Sequence, residues 1–162
     1  TSVSRGLGDV YKRQIKYWLN NKKIILYKDP KNTYINKFVF FGIGSAVLLV
    51  IHSIFLGIKF EYELYKLFRR VVILFFIVFE IIAQTYLVIC LYKIRYSISE
   101  NINEIFLKLK ILLVSLLIIV ALISIPIISV PGNKYLKHAL EWDYFVGVIS
   151  FYLLTFFMWK KN

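Results

Sequence analysis

Glu80 lies at the centre of the apolar run VVILFFIVFEIIAQTYLVICL, residues 71–91. A charged side chain at the middle of a bilayer costs about 2.5–3.5 kcal/mol on insertion scales, so a carboxyl there faces a bundle interior or a wet cavity. Gln84 follows one helical turn later on the same face. His52 belongs to another apolar run, 38–57, and falls about 7 Å outward of that run's centre at 1.5 Å per residue. With some tilt it approaches the level of Glu80. Glu80, Gln84 and His52 are therefore expected to form an intramembrane polar cluster with the chemistry of a proton or ligand site. The simpler reading of the same residues is a structural interhelical hydrogen bond with Glu80 protonated, because a lone buried charge is costly and such contacts need no transport role.

A second group, His138, Glu141, Trp142 and Asp143, precedes the last apolar run. His138 and Glu141 share a helix face, but two ligands fall short of the three or four that a zinc site takes. Trp142 and Tyr144 read instead as interfacial anchors, with contact to a lipid headgroup as a third reading of this outer face. The sequence contains no Gly-rich phosphate loop, nucleophile elbow or HExxH. Cys90 is the one cysteine, which excludes an intramolecular disulfide framework and any multi-Cys metal site. No catalytic residue, cofactor or metal is expected.

Four apolar runs can position these groups. A spanning helix needs roughly 17–25 apolar residues, which 38–57, 71–91 and 111–130 supply. The fourth, 144–159, is short unless the turns at 136–142 extend it. Within lipid each must be helical, since every backbone N–H and C=O needs an internal partner. Gly42 and Ala46 make a small-xxx-small pair that permits close helix approach. Pro126 should kink the third span, with Ser124 or Ser129 placed to satisfy freed carbonyls. In 97–110, Ile98, Ile102, Ile105 and Leu109 recur at helical spacing, Ser97 and Glu100 fit a capping box, and Glu104 and Lys108 add an i,i+4 pair. An amphipathic surface helix feeding the third span is expected there. Residues 15–27 read as the end of an upstream span. Pro131-Gly132 marks a turn, with Asn133 as N-cap of the helix that follows.

Composition agrees with these elements. Of 162 residues, 59% are hydrophobic and 19% charged, and the mean hydropathy is +0.69; a soluble domain is about 45–50% apolar. The balance of 21 Lys+Arg against 9 Asp+Glu gives a formal +12, spread through loops, which argues against nucleic-acid binding and for contact with anionic lipid headgroups. Segments 15–37, 92–110 and 160–162 carry twelve Lys/Arg, against six in 58–70 and 131–143. The positive-inside rule then places both termini in the cytoplasm. Residues 1–14, TSVSRGLGDVYKRQ, resemble the translated read-through of a sequencing adaptor, which leaves 15–162 as a single polytopic domain. The one methionine is Met158, and a fragment of a longer chain is expected. Abundant Ile, Lys and Asn with four Ala point to an AT-rich genome, that of an environmental bacterium, and so to a bacterial cytoplasmic membrane.

The fold class expected is an all-α membrane protein, a bundle of four transmembrane helices. The last of these reads HALEWDYFVGVISFYLLTFFMWK. Glu141-Trp142, Phe145 and Leu154-Thr155-Phe156 resemble the end of the Frag/DRAM/Sfk family. That group includes damage-regulated autophagy modulators, a protein of GPI-lipid remodelling and the N-terminal domain of a yeast cell-wall protein. LFRRVV at 67–72 resembles the family's entry to its fourth span, although members often carry His near the position of Arg70 or Val71. The resemblance implies six spans with both termini cytoplasmic, of which these four are the last. The expected function is a non-enzymatic integral membrane protein associated with lipid, or with partners as a homo- or hetero-oligomer. The alternative is a small transporter or channel component using the Glu80–Gln84–His52 cluster, and a membrane-embedded enzyme comes third.

Overall fold

A computed structural model describes residues 2–56, 63–129 and 134–159. The described chain is helical: α1 Ser2–Lys28, α2 Ile35–Leu56, α3 Glu63–Ile94, a 3-10 turn Arg95–Ile98, α4 Glu104–Ser129 and α5 Lys134–Met158. It divides into two compact units, Thr1–Cys90 and Leu91–Asn162. The all-α class read from the apolar runs is the fold observed.

In the first unit, α1 and α2 form a helical hairpin. Pro30 lacks the N–H that a longer α1 would need, and the turn closes through Asn32, whose Oδ1 accepts from the Tyr34 amide at 3.0 Å. Trp18, Asn21 and Ile25 recur at helical spacing and are buried. The Trp18 indole lies directly on Gly42, where a Cβ would overlap the ring, so the small residue anticipated at 42 does admit a neighbouring helix. Lys16, Leu19, Lys23 and Leu26 stay exposed. Thus α1 is an amphipathic helix laid on α2. Among the described residues it is not one of the helices long and apolar enough to span.

Aromatic rings pair α2 with α3 in antiparallel register. Tyr34 stacks on Tyr86 at 5.6 Å, Phe41 meets Phe79 edge-on at 5.1 Å, and Phe55 meets Phe68 at 5.2 Å. At that far end the Tyr65 hydroxyl donates to the Phe55 carbonyl. Phe60 and Tyr62, anticipated in an outer belt, lie outside the described residues. Tyr92 and Tyr96 are exposed and hold the Arg95 guanidinium 3.8 and 4.3 Å from their ring centroids.

In the second unit α4 and α5 form an antiparallel hairpin. Leu117 covers Gly147 and Phe106 stacks on Phe157 at 5.8 Å. The open end is tied by the Asn103 amide donating to the Met158 carbonyl at 2.8 Å and by an antiparallel bridge between Ile102 and Trp159. That tie corrects the amphipathic helix expected over 97–110. Asn103, whose Oδ1 accepts from the Ile105 amide at 3.0 Å, starts α4 in place of Ser97, as an N-cap residue does. The buried face is then Leu107, Lys110, Val114 and Leu117, while Ile105 and Leu109 point outward. α4 runs on through Pro126. The Ser124 hydroxyl donates to Val120 at 2.6 Å, not to the Leu122 carbonyl four residues before the proline. Pro131, Gly132 and Asn133 lie outside the described residues.

Among the described residues, three stretches are long and apolar enough to cross a membrane: Ile35–Phe55, Leu67–Ile98 and Glu104–Ser124. The fourth expected span is a helix of 25 residues, but its apolar part, Trp142–Met158, is shorter. Lys137 and Glu141 occupy the turns that would have extended it.

Candidate functional site

Helix α3 carries Glu80 and Gln84 on one face because they stand four residues apart, and α2 brings Ser45 against Glu80. Ser45, Glu80 and Gln84 are all fully buried. The Gln84 Nε2 donates to Glu80 Oε1 at 2.9 Å. The Ser45 Oγ lies 2.6 Å from Glu80 Oε2 and 2.8 Å from the Gly42 carbonyl oxygen. A serine hydroxyl has one proton and two lone pairs, and a carbonyl oxygen can only accept. The Ser45 hydroxyl can donate to Glu80 Oε2 or to Gly42; when its proton goes to Gly42, the 2.6 Å contact requires the proton of a neutral Glu80 carboxyl.

The structure therefore brings Glu80 and Gln84 together, with Ser45 as the hydroxyl that α2 contributes. His52 is seven residues further along α2, about 10 Å of helix rise, and its side chain is half-buried. Ser45 carried little signal in the sequence, since a serine inside an apolar run is common. Its one distinguishing mark is its place one turn after Gly42 and beside Ala46.

The second unit holds a buried cation that the loop count had assigned to the surface. Lys110 is fully buried. Its Nζ donates to the Thr155 hydroxyl and sits 4.1 Å from the centroid of the Phe151 ring, a cation–π distance. Thr155 spends its own proton on the Phe151 carbonyl at 2.9 Å, leaving its lone pairs for the ammonium. Lys110 stood at the edge of the 111–130 run, where sequence alone reads a lysine as the end of a loop.

At the other end of α5, Trp142 is two-thirds exposed (67%) and meets Phe145 edge-on, centroids 6.0 Å apart. The side chains of His138 and Glu141 lie outside the described residues. Among the described residues no group of three or more His, Cys, Asp or Glu could hold a metal ion.

Comparison with known proteins returns no matching protein-family profile, no matching curated protein and no matching solved structure. Among the described residues, fold and site define an all-helical chain with helices long and apolar enough to cross a membrane and with charged or amide side chains buried in it.

Proposed function

We propose that this chain is a non-enzymatic, multi-pass integral membrane protein that works by associating with lipid or with partner helices. One observation carries this reading: large apolar side chains are exposed along the helices, while a few polar ones are buried. Phe40, Leu74, Phe75, Leu112, Leu116 and Ile119 are exposed, while Ser45, Glu80, Gln84 and Lys110 are buried. An apolar surface on that scale is sustained by a hydrophobic solvent or a covering partner. In membranes washed with alkaline carbonate the protein stays in the pellet, and non-ionic detergent releases it. Release by carbonate alone overturns the reading.

The excess of Lys and Arg in 15–37, 92–110 and 160–162 supports cytoplasmic termini, in a bacterial cytoplasmic membrane. Terminal fusions to a reporter active on only one side read this directly, and activity outside reverses the orientation. The resemblance to the Frag/DRAM/Sfk family is part of the same proposal. It implies two more apolar spans encoded before residue 15, and the genomic sequence upstream tests it.

A second reading, a small transporter or channel component, is favoured by the Glu80–Gln84–Ser45 cluster, because an intramembrane carboxyl marks solute and proton paths in helical membrane proteins. Flux in reconstituted vesicles, compared between wild type and Glu80→Gln, decides it. Flux that does not depend on Glu80 removes this reading and leaves the first intact.

A further inference from the structure

We propose that the outer face of α1, towards the closed end of the α1–α2 hairpin, binds one anionic phospholipid, with its phosphate on Lys22 and Lys23 and an acyl chain along Leu19. The inference deepens the first reading above by naming the lipid, and it rests on that reading.

Spacing builds the face. Ile15, Lys16, Leu19, Lys22, Lys23 and Leu26 line one open furrow along α1, on the side away from the buried Trp18, Asn21 and Ile25. Lys16, Leu19, Lys23 and Leu26 are exposed and Lys22 is half-buried, so apolar side chains lie open between cations. Between Asp9 and Asp29 the sequence has no acidic residue, and this stretch of α1 offers its lysines no carboxylate.

Depth selects a lipid. Trp18 lies against Gly42, seven residues past the start of the Ile35–Phe55 stretch, or about 10 Å of helix rise. Lys22 and Lys23 stand four and five residues back towards the turn, and so come level with the first turn of that stretch. If Ile35–Phe55 spans the bilayer, this is the boundary where phosphates sit, and acyl chains run from it alongside Leu19 and Ile15. Lys16 is deeper, and its aliphatic stem lets the ammonium reach back towards the same headgroup. Charge complementarity then names the headgroup. A zwitterionic lipid neutralises its phosphate with its own cation, whereas a phosphatidylglycerol headgroup keeps a net negative charge for the lysines.

The purified full chain in non-ionic detergent is titrated with dioleoyl phosphatidylglycerol or dioleoyl phosphatidylcholine, and bound lipid is counted by native mass spectrometry. Phosphatidylglycerol is expected to bind about 25-fold more tightly, about fivefold for each of the two lysines, and raising ammonium acetate narrows the gap. Lys22→Gln with Lys23→Gln abolishes the preference, and Lys22→Arg with Lys23→Arg keeps it. Lys93→Gln with Lys108→Gln removes the same charge elsewhere in the chain and leaves the preference unchanged. Glycerol phosphate, an anion of the same kind without acyl chains, does not compete. Equal affinity for the two lipids, equal losses in the two glutamine pairs, or competition by glycerol phosphate overturns the proposal. A defined oligomer that dissociates in the Lys22/Lys23 glutamine pair, with no lipid preference in the wild type, seats a second copy on this face and also overturns it. Should that pair not fold, the wild type decides alone: phosphatidylglycerol must raise its unfolding temperature above that in phosphatidylcholine, and equal temperatures overturn the proposal. A chain that survives carbonate washing yet binds both lipids alike is a membrane protein without this site.

Discussion

A hydroxyl that donates to the carbonyl a turn behind it in the same helix has committed its proton and can then serve only as an acceptor. Thr155 does this towards Phe151, and its lone pairs then face the Lys110 ammonium, the group that most needs an acceptor. For Lys110 the consequence is measurable. Thr155→Val keeps the side-chain shape and removes that acceptor from a buried ammonium, so the α4–α5 hairpin loses about 1–3 kcal/mol of stability. Lys110→Met removes the demand itself and costs less than Thr155→Val, since replacing both polar partners by apolar groups is close to neutral. In the double variant the Thr155→Val penalty disappears. Denaturant titration of the four proteins reads this as a coupling energy, and additive effects refute it. Glu80 and Gln84 were legible in the sequence because a carboxyl inside an apolar run is conspicuous and the amide follows at i+4. Ser45 and Lys110 were not. Hydroxyl pairing across helices has no sequence period, and a lysine at the margin of a hydrophobic run reads as a loop cation until its helix is seen to begin six residues earlier.

At the scale of helices, two glycines make equally close contacts of unequal stiffness. A Cβ on Gly42 would overlap the rigid Trp18 indole, and one on Gly147 would meet Cδ2 of Leu117, a methyl that can rotate away. Gly42→Ala should therefore cost about 1–3 kcal/mol, the range for overpacking, and Gly147→Ala clearly less. Trp18→Leu in the Gly42→Ala background should recover part of the loss. Thermal unfolding of these variants checks the ranking, and equal effects contradict it. The Gly42–Ala46 spacing made the first close approach legible, although not that a tryptophan would fill it. The start of α4 was misjudged for a physical reason. Ile98 and Ile102 are buried as their spacing implied, but Asn103 captures the Ile105 amide and its own amide joins the Met158 carbonyl. The helix begins after both isoleucines, and its buried face turns to Leu107 and Lys110. That partner lies 55 residues along the chain, beyond the reach of a local pattern.

For the whole chain, the apolar exterior was legible in composition, since 59% hydrophobic residues cannot all be enclosed in two small helical units. Between 22% and 39% of each spanning window is buried, so most of every span needs a hydrophobic surrounding. Leu116, half-exposed near the middle of Glu104–Ser124, reports on that surrounding. Leu116→Arg should reduce membrane integration of this segment by about 2.5–3.5 kcal/mol, read as the inserted fraction in a glycosylation-tag assay. Insertion equal to wild type contradicts lipid exposure. The count of spans was less legible. Run length distinguishes three clear helices, but the last has its charges in the turns that would lengthen it, and length alone does not say how deeply such a helix sits.

The burial of Lys110 also sets an order in time. The ribosome releases α4 before α5, so on the membrane reading proposed above Lys110 reaches the bilayer while Thr155 and Phe151, which receive it in the finished fold, are still unsynthesised. Until then this lysine can only reach back towards the headgroups, holding the first turns of α4 near the surface. Arrival of α5 draws it inward. The last helix to be made is thus the one that completes the seating of its predecessor, and a nascent chain arrested before residue 151 should hold α4 in a shallower position than the finished protein does.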